Sequence, residues 1–198
     1  MSRTAAALAL VLGTAVAALY QVTLGFRALT SEDARRIRVA EAPMAISSLA
    51  VIGADHSRTD LWGSDPQARA WLVTFIYTGC LSICGVLGAE FGELQAQAEG
   101  VRLASISFDR AHDSPEALAV YAKRHHADPA RWLVAVPESD AALARLLKEM
   151  GVVAIDDGAG GYAHNAAIHV VTPAGKLVSI FDLDRYAEAL AFARQLGR

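Results

Sequence analysis

The sequence predicts an α/β protein, with a central mixed sheet flanked by helices and preceded by one N-terminal transmembrane helix. Three observations carry this prediction. Strand and helix periodicities alternate from Trp71 to Met150, a hairpin signal follows near Pro173, and 22 uncharged residues, Ala5 to Phe26, open the chain. The 198 residues are 54% hydrophobic and 20% charged, so a packed core is easily supplied and wholesale disorder is excluded. Eighteen basic residues against 21 acidic ones leave a net charge of −3, which argues against a nucleic-acid partner.

The opening run would make about 33 Å of helix, against a hydrocarbon core of roughly 30 Å. It shows no polar face, which speaks against a buried core helix. Residues 1–28 therefore read as a membrane anchor. A signal peptide is the alternative, because Ala15-Val16-Ala17 has the small-x-small look of a cleavage site. Arg27, Arg35, Arg36 and Arg38 follow the span and only Arg3 precedes it, so the charge count opposes export. Long domains cross largely regardless of nearby charge. Thr30 to Ala42 is charged without a clear apolar stripe, and 29–42 reads as a linker to a domain at 43–198.

Within that domain, Ile46 to Ile52 and Trp62 fit short strands or a hairpin around Gly53-Ala54-Asp55. Trp71 to Tyr77 is an apolar, β-branched run suited to a buried central strand. Cys84, Leu87, Phe91, Leu94 and Ala98 then recur at helical spacing, up to a stop at Gly100. Val101 to Phe108 alternates as a strand, and Ser114-Pro115 opens a helix with a serine cap and proline at the first position. Arg131 to Val136 fits a third strand, and Leu143 to Met150 a helix closed by Gly151. Ala166 to Val171 and Leu177 to Phe181 flank the turn Thr172-Pro173-Ala174-Gly175, and a helix from about Asp184 to Leu196 ends the chain. That order is thioredoxin-like, with one extra strand and helix inserted.

The only cysteines, Cys80 and Cys84, lie four residues apart, so a disulfide between them would close too small a loop to constrain the unfolded chain. They sit where the first central strand passes into its helix, a place where sites in open α/β sheets gather. Unpaired N–H groups and the helix dipole favour thiolate there. The pair can close a disulfide or face one soft metal ion, Cu(I) or Zn(II). Two thiolates are too few for a structural zinc site, whereas one imidazole more completes a trigonal copper site.

Tyr77-Thr78-Gly79-Cys80-Leu81-Ser82-Ile83-Cys84 resembles the Cys-x-x-x-Cys loop of the Sco/SenC copper-insertion proteins. Two further blocks resemble the same family. Ser107 to Glu116 looks like its strand-end Asp-x-x-x-Asp-[Ser/Thr]-Pro segment, and His164 to Ile168, with the later Pro173-x-Gly175 turn, like its copper-histidine segment. The resemblance runs from about residue 45 to 197. It implies a metallochaperone anchored in the bacterial inner membrane with its domain in the periplasm. Such proteins help assemble the copper site of cytochrome c oxidase. Carried over by position, Cys80, Cys84 and His164 would bind a copper ion, Cu(I) or Cu(II). The implied partners are the copper-receiving subunit of a respiratory oxidase and a periplasmic copper donor or thiol reductant. Asp109 matches a family position near the site, and its role is left open between site and turn duty.

Two residues depart from the family pattern, Leu81 and Gly85, which stand where proline usually follows each cysteine. Gly85, Gly88 and Gly92 weaken the helix behind the thiols and imply close packing against a neighbour. His169 should face away from His164 and reads as structural, while His125 and His126 read as surface residues at a helix end. His56 and His112 lie in loops without a nameable partner. The alternative function is a thiol-disulfide oxidoreductase using Cys80 and Cys84 as its redox pair. A thioredoxin would need its cysteines at two-residue separation, and a peroxiredoxin threonine where Tyr77 stands.

Overall fold

The computed structural model describes residues 2–62, 65, 67–80 and 83–196. The chain divides into two compact units, Met1–Ala42 and Pro43–Arg198. In the first, helix α1 (Arg3–Val22) has mean hydropathy 1.9 and no buried residue, long and apolar enough to cross a membrane. Helix α2 (Ser31–Glu41) occupies the stretch whose missing apolar stripe suggested a linker. Its stability is local. Thr30 and Asp33 form a reciprocal capping box, and Glu32 pairs with Arg35 and Arg36 one turn on.

The second unit begins with β1 (Met44–Ala45), then the hairpin β2 (Ala50–Gly53) and β3 (Arg58–Asp60). Its turn is tightened by Asp55, which accepts the Ser57 N–H and hydroxyl at 3.0 and 2.6 Å. Strand β4 (Ala70–Ile76) is buried along its whole length and is followed by α3 (Ile83–Leu94), β5 (Val101–Ser107), α4 (Pro115–Arg124), β6 (Trp132–Pro137) and α5 (Asp140–Met150). The predicted cap signals hold: the Ser114 side chain accepts the Ala117 N–H, and Gly151 ends α5 at φ 65°. Short strands β7 (Ala154–Asp156) and β8 (Tyr162–His164) come next, then β9 (Ile168–Val171), β10 (Lys176–Phe181) and α6 (Tyr186–Gln195).

Eight strands form one sheet in the order β1-β10-β9-β4-β5-β6-β2-β3. Strands β4, β5 and β6 run parallel, and β9 and β2 join that centre antiparallel on either side. Helix α6 lies across β4, β5, β9 and β10 and meets α3, while α4 covers β6 and β2. This is the mixed, helix-flanked, thioredoxin-like sheet that the element order predicts. Trp71, Leu72, Ile76, Leu103, Ile106, Phe91 and Trp132 are almost wholly removed from water and form its core. Each such side chain contributes about 1.5–3 kcal/mol.

The glycines of α3 are explained unequally. A Cβ on Gly88 would meet the His125 ring at 2.5 Å, and one on Gly92 the His125 carbonyl at 2.8 Å. Around Gly85 there is open space. His125 is thus a half-buried wedge between helices, its ring 4.5 Å from that of Tyr121, and the expectation of a surface role is corrected.

Candidate metal centre

The thiols stand where β4 gives way to α3, and a buried carboxylate sets that turn. Asp113, 2% exposed, accepts the Thr78 N–H at 2.9 Å, the Thr78 hydroxyl at 2.5 Å and the Ser107 hydroxyl at 2.6 Å. It clamps the ends of β4 and β5 just ahead of Cys80. Sequence reasoning missed this role because an aspartate before Ser114-Pro115 reads as turn or cap chemistry. Leu81 lies outside the described residues.

Cys80 and Cys84 are buried and form no disulfide with one another, Cys80 the slightly more exposed at 7% against 0%. The Cys84 N–H points at the Cys80 sulfur at 3.3 Å, as expected of a helix N-terminus. The helix end does not, however, make a thiolate of Cys84. Burial, with the neighbouring Cys80 side chain adding to it, pushes the Cys84 thiol up to about 12. The Tyr121 hydroxyl of α4 donates to the Cys84 carbonyl at 3.2 Å.

His164 ends β8, in a small hairpin with β7. Ala154 pairs with His164, and Asp156 with Tyr162. The connecting turn is organised by Asp157, whose carboxylate accepts the Ala159 and Gly161 N–H groups at 2.8 and 2.9 Å. Gly158 and Gly160 take the positive φ values, 72° and 85°, that this turn requires. Asn165 fastens the hairpin to the end of α5 by accepting the Val153 N–H at 2.7 Å and donating to the Gly151 carbonyl at 3.0 Å. Burial, with the Asp109 carboxylate beside it adding to the effect, raises the Tyr162 phenol, and Asp109 pairs with His112 Nδ1 at 2.9 Å. His56 also has a partner, Glu116 at 3.3 Å.

The imidazole of His164 sits against aromatic rings, with Phe108 at 5.1 Å and Tyr77 at 6.5 Å between centroids. Both ring nitrogens are buried and have no hydrogen-bond partner among the described residues, and burial pushes its protonation down. A neutral imidazole of this kind has a lone pair able to accept a proton or a soft metal ion. Its outer side borders an open groove of about 740 Å³ shared with Asp182, Asp184 and Arg185. His169, by contrast, is buried in β9, edge-on to Phe75 at 5.7 Å, as a structural residue should be.

Among the described residues no three His, Cys, Asp or Glu side chains stand close enough to hold a metal ion. The structure brings Cys80 and Cys84 together. His164 stands apart from them, its ring 6.5 Å between centroids from that of Tyr77, three residues before Cys80. The donor set of two thiols and one neutral imidazole suits a soft ion such as copper.

Comparison with known proteins agrees with this architecture. The chain is 25% identical over 122 residues to the SCO1 protein homolog of Bacillus subtilis (strain 168), covering 59% of this chain and 63% of that relative, just under two thirds of its length. In structure it is similar to a SCO1/SenC family lipoprotein from Bacillus anthracis str. Ames, with a TM-score of 0.70 at 18% identity over 79% of this chain and 98% of the other. It is also similar to Arabidopsis thaliana ScoI with copper bound, with a TM-score of 0.64 at 14% identity over 76% and 98% of the two chains. The family model described as SCO1/SenC matches residues 54–194. With that match over most of its length, the chain belongs to the SCO1/SenC family.

Proposed function

We propose that this protein is a membrane-anchored copper metallochaperone. It binds one copper ion through Cys80, Cys84 and His164 and passes it to the copper-receiving subunit of a respiratory oxidase, with α1 as the anchor and the 43–198 domain in the periplasm. The observation that carries this reading is the imidazole of His164, whose two buried nitrogens lack a partner among the described residues and whose ring lies 6.5 Å from that of Tyr77, three residues before the first thiol. The copper-bound Arabidopsis relative supports the same cargo.

Loading begins at Cys80, the more exposed residue of the pair. The buried Cys84 thiol gives up its proton only as the metal replaces it, so uptake releases protons. The hairpin then brings His164 in as the third donor. Delivery reverses the order, partner thiolates or imidazoles replacing the three ligands in turn. Titration of the reduced full chain with Cu(I), against a competing chelator, tests the reading. Copper binding lost on removal of either cysteine and weakened at least tenfold in His164→Ala supports it. Unchanged affinity in His164→Ala removes that residue from the site.

A second reading is favoured by the contact between Cys84 N–H and the Cys80 sulfur, which stabilises a Cys80 thiolate. The reduced pair would give two electrons and two protons to a partner disulfide and close its own. Turnover with a protein disulfide and a supplied reductant distinguishes it, since tight copper binding without any exchange discards it.

A further inference from the structure

Strand β8 is paired on one side only, because β7 and β8 make a two-stranded sheet of their own. The register fixes which backbone groups its outer edge presents. The Asp157 N–H donates to the Gly161 carbonyl at 3.0 Å and the Asn165 N–H to the Val153 carbonyl at 3.3 Å, so the bonded pairs alternate through Ile155 and Ala163. Tyr162 and His164 fall between them and turn their N–H and C=O groups away from β7. Accordingly the Tyr162 N–H donates to the Tyr77 hydroxyl at 3.4 Å, and the His164 carbonyl accepts the Ala166 N–H at 3.1 Å. The Tyr162 carbonyl and the His164 N–H have no partner among the described residues. An acceptor and a donor two residues apart on one edge are what a single residue of an added parallel strand bonds.

The surroundings of that edge select what fits it. Tyr162 and His164 send their side chains inward, against Phe108 at 5.2 and 5.1 Å, so Ile155 and Ala163 face the other way. Ile155 is 61% exposed and Val153, two residues before it, 55%, an apolar strip left in water. The groove that takes in Tyr162, Ala163 and His164 is also lined by Asp182, Asp184 and Arg185. Arg185 already pairs with Glu188 at 3.0 Å, so the lining is left negative. We infer that the outer edge of β8 is a docking site for an extended segment of a partner polypeptide, added beside it as a strand and carrying apolar and cationic side chains in alternation. The Tyr162 carbonyl and the His164 N–H bond its backbone, its apolar side chains lie over Ala163 toward Ile155, and its cations meet the aspartates. A segment docked there lies beside His164. That this partner is the one receiving copper rests on the function proposed above, whereas the edge itself is tested without copper.

The probe is a short end-capped peptide of alternating valine and lysine, added to the reduced, metal-free full chain. It should bind and slow exchange of the His164 backbone N–H about tenfold, read by NMR, and leave the amides of β3 at the far edge of the large sheet unchanged. The same peptide with every backbone nitrogen methylated, and one with glutamate in place of lysine, should not bind. Asp184 and Ile155 are exposed and outside the copper ligand set, so their variants keep the fold. Asp184→Lys should weaken peptide binding about tenfold at low salt and Ile155→Ser about threefold. No binding, or equal binding of the methylated or the glutamate peptide, overturns the inference. Protection of the His164 N–H that rises with chain concentration in the absence of peptide gives the edge to a second copy and overturns it as well. A chain that binds the peptide as expected but holds Cu(I) equally tightly in His164→Ala defeats the copper reading alone and leaves the docking edge standing.

Discussion

Asp113 accepts both the backbone N–H and the hydroxyl of Thr78, two residues before the first thiol, and holds the Ser107 hydroxyl with its remaining lone pairs. One carboxylate therefore ties the C-terminal ends of the two central parallel strands together beneath the site. Replacing it by alanine leaves three donors without their acceptor, the Ser107 hydroxyl fully buried among them. Asp113→Ala should cost about 3 kcal/mol in urea unfolding, with Asn between it and wild type. A loss under 0.5 kcal/mol would mean that the turn is set by something else.

The glycines behind the thiols should separate cleanly. Gly88→Ala forces a methyl group into the His125 ring and should destabilise by about 1–3 kcal/mol. A second change, His125→Ala, should recover much of that. Gly85→Ala meets open space and should stabilise by up to ~1 kcal/mol through helix propensity. Thermal melts of the three variants check the pattern, and equal effects at both glycines would contradict it.

Much of this was readable in advance, and what was not has a common cause. Strand β4 announces itself because a strand buried on both faces must be apolar throughout. Cys80 and Cys84 stand out because few roles other than chemistry need such a pair at that turn. Helix α2 was hidden because its stability comes from Thr30, Asp33 and Glu32 pairing, not from an apolar stripe. The β7–β8 hairpin was hidden because three-residue strands carry no periodicity and Asn165 and Asp157 hold them by side-chain bonds. His125 looked like a helix-end surface residue because its burial depends on Gly88 and Gly92 of another helix. Local pattern reveals elements. Contacts between distant segments, such as Tyr77 with Tyr162, are written only in the fold.

The Cys84 thiol makes stability fall in alkali. Folded protein keeps its proton up to about 12, whereas in the unfolded chain an ordinary thiol loses it near pH 8.5. The stabilising contribution is therefore complete below about pH 8.5 and is lost as pH rises toward 12. Urea midpoints of the reduced protein should drop between pH 9 and 11, and more gently in Cys84→Ala. Parallel curves for the two proteins would contradict the assignment.

Asn165 carries the hairpin without touching a metal ion. Asn165→Ala removes the bonds to Val153 and Gly151 and should cost about 1–2 kcal/mol. It should also move Cu(I) affinity toward that of His164→Ala. Wild-type affinity in a destabilised Asn165→Ala protein would show that the hairpin's placement does not matter for the metal.

X-ray absorption spectroscopy of the full chain loaded with Cu(I) addresses the ligand set itself. Two sulfur ligands and one imidazole nitrogen on a single copper ion, the nitrogen vanishing in His164→Ala, is the predicted result. A spectrum with sulfur ligands alone, unaltered by His164→Ala, would contradict it.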